Sequence, residues 1–120
     1  MIERNGLVYK MKIYLDDLRE PYDDSWTIAK TIEEFQQLVL SGEAITQMSF
    51  DHDLGENVPT GMDATKWFVE LCLDEPSYGE NLEIVLVHSA NPPGAENILS
   101  YFMSAKAHGV FSSDLKIRRI

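Results

Sequence analysis

The fold is decided by residues 82–94, which read LEIVLVHSANPPG. Residues 82–87 make the most apolar predicted strand of the chain, and a short continuous apolar run is typical of a strand buried in a parallel sheet. Two prolines and a glycine follow at 92–94, and proline in the first turn predicts the start of a helix. A strand, a polar loop and a helix in this order predict an α/β domain.

The same order of elements recurs along the chain. Weaker strands are predicted at residues 12–15, 26–29, 46–50 and 115–120, the last as an edge strand. Three helices are predicted to begin after Thr31, after Thr60-Gly61 and at Pro92, and their apolar residues recur at helical spacing. Thr31 with Glu34 reads as a capping box. Strands that alternate with helices predict a mainly parallel sheet.

Length and composition fit one globular domain. The chain has 120 residues, of which 44% are hydrophobic and 25% are charged, and we assign residues 1–120 to a single domain. Residues 1–11 are expected to be an N-terminal extension, because Met11 resembles a second start. We find no apolar run near the ~20 residues of a membrane span and no signal-peptide pattern. The single Cys72 cannot form an internal disulfide, so a cytoplasmic location is expected.

The formal charge of −10 is unevenly distributed. Residues 13–105 carry a net charge of −15, whereas residues 1–12 carry +2 and residues 106–120 carry +3. A body this acidic repels a phosphate backbone, which argues against duplex nucleic acid as a partner. A phosphorylated ligand would need a divalent cation between itself and the protein. The alternative, that the acidity only keeps the protein soluble, stays open at this point.

Polar clusters follow three of the predicted strands. They comprise residues 16–17 (Asp-Asp), residues 51–53 (Asp-His-Asp) and residues 88–91, which include a histidine, a serine and an asparagine. Ligands of open parallel sheets bind beyond the carboxyl ends of the strands. If the first, third and fourth strands are neighbours about 4.8 Å apart, the clusters meet in one small pocket.

The residue types in this pocket suit phosphate chemistry. Asp16, Asp17 and Asp51 offer hard oxygen ligands for Mg²⁺, Mn²⁺ or Ca²⁺. His52 and His88 suit general acid and base roles, or metal ligation. Side chains able to donate hydrogen bonds to a phosphoryl oxygen are Ser89 and Asn91, and Asn91 can also cap the helix that begins at Pro92.

Ordinary structural roles compete with each of these assignments. Taken alone, the three clusters are compatible with a strand exit, a tight turn and a helix cap. His108 precedes Gly109 and is expected to be a helix-end residue. Cys72 lies on an apolar helical stripe, which favours a packed core thiol over a nucleophile. Only the coincidence of three clusters at successive strand ends favours a functional site.

Four motifs together resemble the cyclic-phosphate-processing receiver-like domains, which are relatives of response-regulator receivers found in phages and bacteria. The motifs are LDDLR at 15–19, FDHDLG at 50–55, Thr60-Gly61 and HSANP at 88–92, and the resemblance covers roughly residues 12–108. It implies a three-layer α/β domain of flavodoxin type, with a five-stranded sheet of order 2-1-3-4-5. It also implies a role in handling cyclic or terminal phosphates on nucleotide derivatives.

The resemblance also implies roles for individual residues. Asp16 and Asp17 match the metal-binding acidic pair of receivers, Asp51 the phosphoryl-accepting aspartate, and Ser89 the hydroxyl residue after the fourth strand. Arg19, at the end of the first motif, is assigned to phosphate binding.

Two departures from the receiver pattern stand out. Receivers end their fifth strand with Lys-Pro, whereas Lys116 here lies inside the predicted strand, so Arg118 or Arg119 is a candidate substitute. Only residues 17–25 join the first two strands, which is too short for an ordinary parallel crossover. The first helix is therefore expected to be reduced or missing, leaving the pocket more open on that side.

These observations lead to one functional hypothesis and two alternatives. We expect a metal-dependent phosphoesterase that uses Mg²⁺ or Mn²⁺ and acts on a cyclic or nucleotide-linked phosphate of the ADP-ribose type. The expected partner is a small phosphorylated nucleotide-type substrate, with neither duplex nucleic acid nor a membrane. The alternatives are a regulatory module phosphorylated on Asp51 and a protein that binds a cyclic nucleotide without cleaving it. The sequence leaves open the oligomeric state and the direction of the second strand.

Overall fold

The computed structural model describes residues 10–120, together with the backbone of residues 3–4 and 7–8. A small antiparallel pair consists of β1 (Glu3–Arg4) and β2 (Leu7–Val8). The main sheet has five strands, β3 (Lys10–Leu15), β4 (Thr27–Ala29), β5 (Ala44–Phe50), β6 (Ile84–Val87) and β7 (Lys116–Arg119).

All neighbours in the main sheet are parallel. The strand order is β4-β3-β5-β6-β7, which is the expected 2-1-3-4-5 order when the strands of this sheet are counted from the first. The structure thereby answers the two open points of topology: β4 runs parallel to β3, and residues 116–119 form the fifth strand beside β6. The connection over residues 16–26 contains no helix, as its shortness predicts.

Several strand boundaries differ from expectation, and the largest differences are at the starts of three strands; β5 begins at Ala44 instead of residue 46. The first strand begins at Lys10 instead of residue 12, and Lys10 and Met11 pair with Ala44 and Ile45 of β5. These two residues therefore belong to the sheet and not to the N-terminal extension. The start of β6 lies at Ile84, two residues later than expected. The two ends of a strand are set by its pairing with the neighbouring strand. The sequence of one strand does not show how far that neighbour extends.

Three α-helices connect the strands, α1 (Ile32–Leu40), α2 (Gly61–Asp74) and α3 (Pro92–Ala107), with a 3₁₀ turn at Pro76–Tyr78. The Thr31 hydroxyl accepts the Glu34 N–H, but the Glu34 carboxylate accepts the Lys30 N–H instead of that of Thr31. The predicted capping box is thus incomplete. The reciprocal arrangement occurs at Thr60, with Asp63 as its partner.

The helices pack against one face of the sheet only. Alternate strand residues on that face form one core with the helices; they are Ile13, Leu15, Ala29, Met48, Phe50, Val85 and Val87. The Phe50 ring lies 5.5 Å from that of Phe35 in α1 and 5.4 Å from that of Phe102 in α3. No helix of the described residues covers the other face of the sheet. The missing helix between β3 and β4 is one reason.

Two further expectations concern this core and the helices. Cys72 is buried, and burial raises the pKa of its thiol to about 12, which confirms a packed, unreactive cysteine.

None of the described helices combines the length and the apolarity that a bilayer crossing requires.

Candidate functional site

The polar clusters meet at the carboxyl edge of the sheet. Asp16 and Asp51 directly follow the adjacent strands β3 and β5, and Asp17 lies one residue beyond Asp16. One oxygen from each of these three carboxylates lies within 4.8 Å of the other two. They border a cleft of about 480 Å³, which is also lined by Arg19 and Asn91. The structure thus brings together the residues that the sequence assigned to cation and phosphate binding, with the exception of Ser89.

Asp16 is the most constrained of the three carboxylates. Its side chain is 1% exposed. The Oδ1 atom accepts the backbone N–H groups of Leu18 and Arg19, both at 2.9 Å, because the chain turns immediately after β3. The Oδ2 atom accepts a hydrogen bond from His88 Nε2 at 2.9 Å. These three bonds hold the carboxylate in one orientation at the base of the cleft.

Asp51 lies beside Asp16 in an unfavourable environment for a second negative charge. Burial, and then the charge of Asp16, raise the pKa of the Asp51 carboxyl above its usual value, although the His52 N–H bond to Oδ1 opposes this. A cation between the two carboxylates would relieve this repulsion. Carboxylate oxygens are ligands that Mg²⁺ and Mn²⁺ prefer, so the donor set fits the expected metal.

His88 bonds to Asp16 but does not itself line the cleft. Its Nε2 bonds to Asp16, its Nδ1 lies 2.7 Å from Ser49 Oγ, and its ring stacks on Tyr14 with centroids 4.3 Å apart. Because a carboxylate only accepts, Nε2 carries the proton and Nδ1 accepts the Ser49 hydroxyl. Burial lowers the pKa of His88. The ring is therefore held neutral with both nitrogens bonded, which favours positioning of Asp16 over proton transfer.

Ser49 and Tyr14 are members of this site that sequence reasoning missed. Each lies two residues before an aspartate of the cleft, Ser49 before Asp51 and Tyr14 before Asp16. Side chains alternate along a strand, so positions two apart lie on the same face. That alternation is a signal by which both residues could have been found.

His52 has a different environment: it does not line the cleft itself, but it bonds to Asp53, which does. Its side chain is 18% exposed, and Nδ1 lies 2.8 Å from Asp53 Oδ1. Asn91 Nδ2 donates to the other Asp53 oxygen at 3.2 Å. The ring packs so closely on Gly94 that a β-carbon there would lie 2.4 Å from His52 Cγ. Within residues 10–120 nothing bonds to His52 Nε2, so this nitrogen remains available.

Some of the remaining predicted residues line the cleft, and the others bond to the loop beside it. Asn91 caps α3 by accepting the Gly94 N–H, as predicted. Arg19 lines the cleft and donates to the His88 carbonyl at 2.9 Å. The Ser89 hydroxyl is buried and accepts the Asn91 N–H, so it supports the loop outside the cleft lining. Of the two candidate arginines, Arg119 donates to the Ser89 carbonyl.

The comparison with protein families covers most of the chain. A family model described as the cyclic-phosphate processing receiver domain matches residues 11–104, a segment that contains every residue bordering the cleft. No curated protein and no solved structure shows significant similarity to the chain.

Proposed function

The chain belongs to the cyclic-phosphate processing receiver domains, and we propose that it is a metal-dependent phosphoesterase that opens a cyclic or nucleotide-linked phosphate of the ADP-ribose type. The observation that carries the proposal is the convergence of three carboxylates on one cleft, which Asp53 also lines with His52 bonded beside it. A receiver switch has no evident use for such a pair, whereas hydrolysis needs a group that exchanges protons.

Asp16, Asp17 and Asp51 would hold Mg²⁺ or Mn²⁺ in the cleft. When bound, the cation offsets the charge of the phosphate and polarises a phosphoryl oxygen. Without it, the carboxylates repel an anionic substrate. Arg19 lines the same cleft and supplies a positive group for the phosphate, while the N-terminus of α3 at Asn91 adds a favourable dipole.

His52 is the proposed proton-transfer residue. Its Nδ1–H bond to Asp53 orients the ring and leaves Nε2 as the nitrogen that exchanges a proton, directly or through one water. In hydrolysis of a cyclic phosphodiester, water forms one new bond to phosphorus while one ester bond breaks. The proton of the water passes to His52 Nε2, and a proton returns to the oxygen that leaves. Imidazole suits both steps because its ordinary pKa lies near neutrality.

His88 acts on this reaction through Asp16. Both of its ring nitrogens are bonded within the protein, so we assign it to positioning the metal-binding carboxylate instead of the acid or base role expected from the sequence. Ser89 has a supporting role too, since its hydroxyl holds the backbone of Asn91.

The main alternative is a receiver-like regulatory module that is phosphorylated on Asp51. The same acidic triad favours it, because a receiver needs a cation beside its phosphoryl-accepting aspartate. It differs from the proposal in needing neither His52 nor Asp53. The third hypothesis, binding without cleavage, differs only in the absence of turnover.

One experiment separates the three hypotheses. The purified protein is incubated with 2′,3′-cyclic nucleotides and ADP-ribose cyclic phosphates in the presence of Mg²⁺ or Mn²⁺, and ³¹P NMR follows the conversion of diester to monoester. A parallel sample receives acetyl phosphate, and intact mass spectrometry detects an aspartyl phosphate. The proposal expects turnover that Asp51→Asn abolishes. A stable aspartyl phosphate without turnover supports the regulatory module, and calorimetric binding without turnover supports the binding protein.

A further inference from the structure

The face of the main sheet that lies opposite the helices carries no helix among residues 10–120. Its positions follow from the strand register: Tyr14, Ser49, Leu86 and Arg118 form one row, and Ile84 pairs with Lys116 in another. Leu86 and Ile84 are half-buried, and Ile28 is 38% exposed. Parallel sheets are almost always covered on both faces, because the helices that connect their strands lie on both sides. Within residues 10–120, this bare face therefore lacks the covering layer that a parallel sheet ordinarily has.

The charge of this face is opposite to that of the rest of the protein. The five strands of the main sheet contain no aspartate or glutamate, and Lys12, Lys116 and Arg118 lie on the bare face. The helices on the other side carry six acidic residues against Lys66 and Lys106; they are Glu33, Glu34, Asp63, Glu70, Asp74 and Glu96. An acidic molecule thus presents one basic, partly apolar surface.

We propose that this open sheet face, formed by Lys12, Trp26, Ile28, Gln47, Ile84, Leu86, Lys116 and Arg118, binds an amphipathic helix of a partner protein whose apolar stripe is flanked by acidic residues. A helix is the element that ordinarily covers a parallel sheet. Its apolar stripe meets Ile84 and Leu86 of β6, and its acidic flanks meet the cations of the neighbouring β7 on one side and Lys12 of β3, two strands away, on the other.

The same observations disfavour two other occupants. A symmetric dimer through this face would bring the basic groups of both copies together. A second copy docking through its acidic helices would make a head-to-tail contact that does not close. Single-stranded nucleic acid needs aromatic rings for base stacking, but Tyr14 is buried against His88 and Trp26, and Lys12 Nζ already lies 4.4 Å from the centre of the Trp26 ring.

Binding of three synthetic peptides tests the proposal by fluorescence anisotropy. The first is a helix of about 20 residues, long enough to fold in water, with leucines at every third or fourth position and glutamates on both flanks. The second has lysines in place of the glutamates, and the third is a scrambled form of the first. We expect saturable binding of the acidic helix, and binding at least about tenfold weaker for the other two, since each lost surface ion pair costs severalfold in affinity.

Variants locate the contact. Leu86→Lys, which removes an apolar contact without adding negative charge, should weaken binding of the acidic helix at least about tenfold. The double variant Lys116→Glu with Arg118→Glu, at two exposed positions, should lose the acidic helix and gain the lysine-flanked one. Leu73→Lys is the matched control, because Leu73 is an exposed leucine of α2 on the helix side. Circular dichroism confirms that each variant is folded.

Several results would overturn the proposal. Equal binding of all three peptides, or no binding of the acidic helix, removes the claim of a helix-docking surface. Self-association that Leu86→Lys abolishes would identify a second copy as the occupant, and displacement of the peptide by single-stranded DNA at lower concentration would favour nucleic acid. If Leu86→Lys fails to fold, the exposed double variant decides the question alone.

Discussion

His88 Nε2 lies 2.9 Å from Asp16 Oδ2, and of these two residues only Asp16 lines the cleft. The histidine is thus placed to orient a carboxylate that borders the cleft, while Ser49 and Tyr14 fix the histidine in turn. A hydrogen bond from behind a metal-binding group is a common way to set its direction. Substitution of His88 is therefore expected to act first on cation affinity.

The first prediction concerns the cation. Mg²⁺ or Mn²⁺ should stabilise the protein by mass action, by about 2.7 kcal/mol at a concentration one hundred times the Kd. Asp16→Asn and Asp51→Asn should lose most of this gain, because each removes a ligand of the acidic triad. The melting temperature, measured with and without cation, gives the result. Glu70→Gln neutralises an exposed carboxylate of α2 and should keep the full gain. A melting temperature indifferent to both cations would contradict the proposed site.

The second prediction concerns His52. His52→Ala should retain the fold and the cation-dependent stabilisation but lose turnover by about 10²–10⁴-fold, the usual contribution of a positioned acid or base. Asp53→Asn should lower turnover less, because the ring remains in place but is oriented less well. Steady-state kinetics on the best substrate measures both variants. His108→Ala is the control, since His108 caps the far end of α3, and its turnover should match that of the parent protein. Equal losses for His52 and His108 would count against the assigned role.

The third prediction uses two glycines beside the site. Alanine is favoured over glycine in helices by about 1 kcal/mol, so Gly94→Ala should leave α3 intact. Its β-carbon would nevertheless displace the His52 ring, so turnover should fall while cation binding persists. Gly61→Ala differs, because its β-carbon would lie 1.8 Å from the backbone oxygen of Asp51. A backbone oxygen, unlike a side chain, cannot rotate away from this contact. We therefore expect the free energy of unfolding to fall by about 3 kcal/mol. Kinetics and urea unfolding of both variants test the contrast; full activity in Gly94→Ala would contradict it.

The fourth prediction concerns stability against pH. Burial lowers the pKa of His88 in the folded protein, while the unfolded chain titrates near the ordinary value of about 6.5. As the pH falls through that value, only the unfolded state takes up the proton. The free energy of unfolding should therefore decrease between about pH 7 and pH 5, by at most about 1.4 kcal/mol per pH unit from this group.

The variant His88→Gln isolates this effect. Urea unfolding in the presence of a chelator should give a weaker dependence on pH for the variant than for the parent protein. The raised pKa of Asp51 acts in the opposite direction at lower pH, because the folded state then binds its proton first, and comparison at equal pH reduces that contribution. Parallel pH profiles of the two proteins would show that His88 is not the titrating group.

Much of the fold could be predicted because its signals are local. The apolar run at residues 82–87, the proline pair at 92–93 and the short connection at 17–25 predicted a strand, a helix and a missing helix, respectively. The convergence of residues 16, 51 and 88 was also predictable, since parallel neighbours bring their carboxyl ends to one edge.

Tertiary structure alone decided what these residues touch. His52 and His88 look equivalent in the sequence, yet within residues 10–120 His52 has one ring nitrogen without a bond, whereas both ring nitrogens of His88 are bonded. The bare face of the sheet was equally hidden, because strand register determines which alternate residues share a face. Local sequence specifies the direction and type of an element through backbone geometry and apolar spacing. The partners of a side chain depend on which strands pack beside it, and those lie far away along the chain.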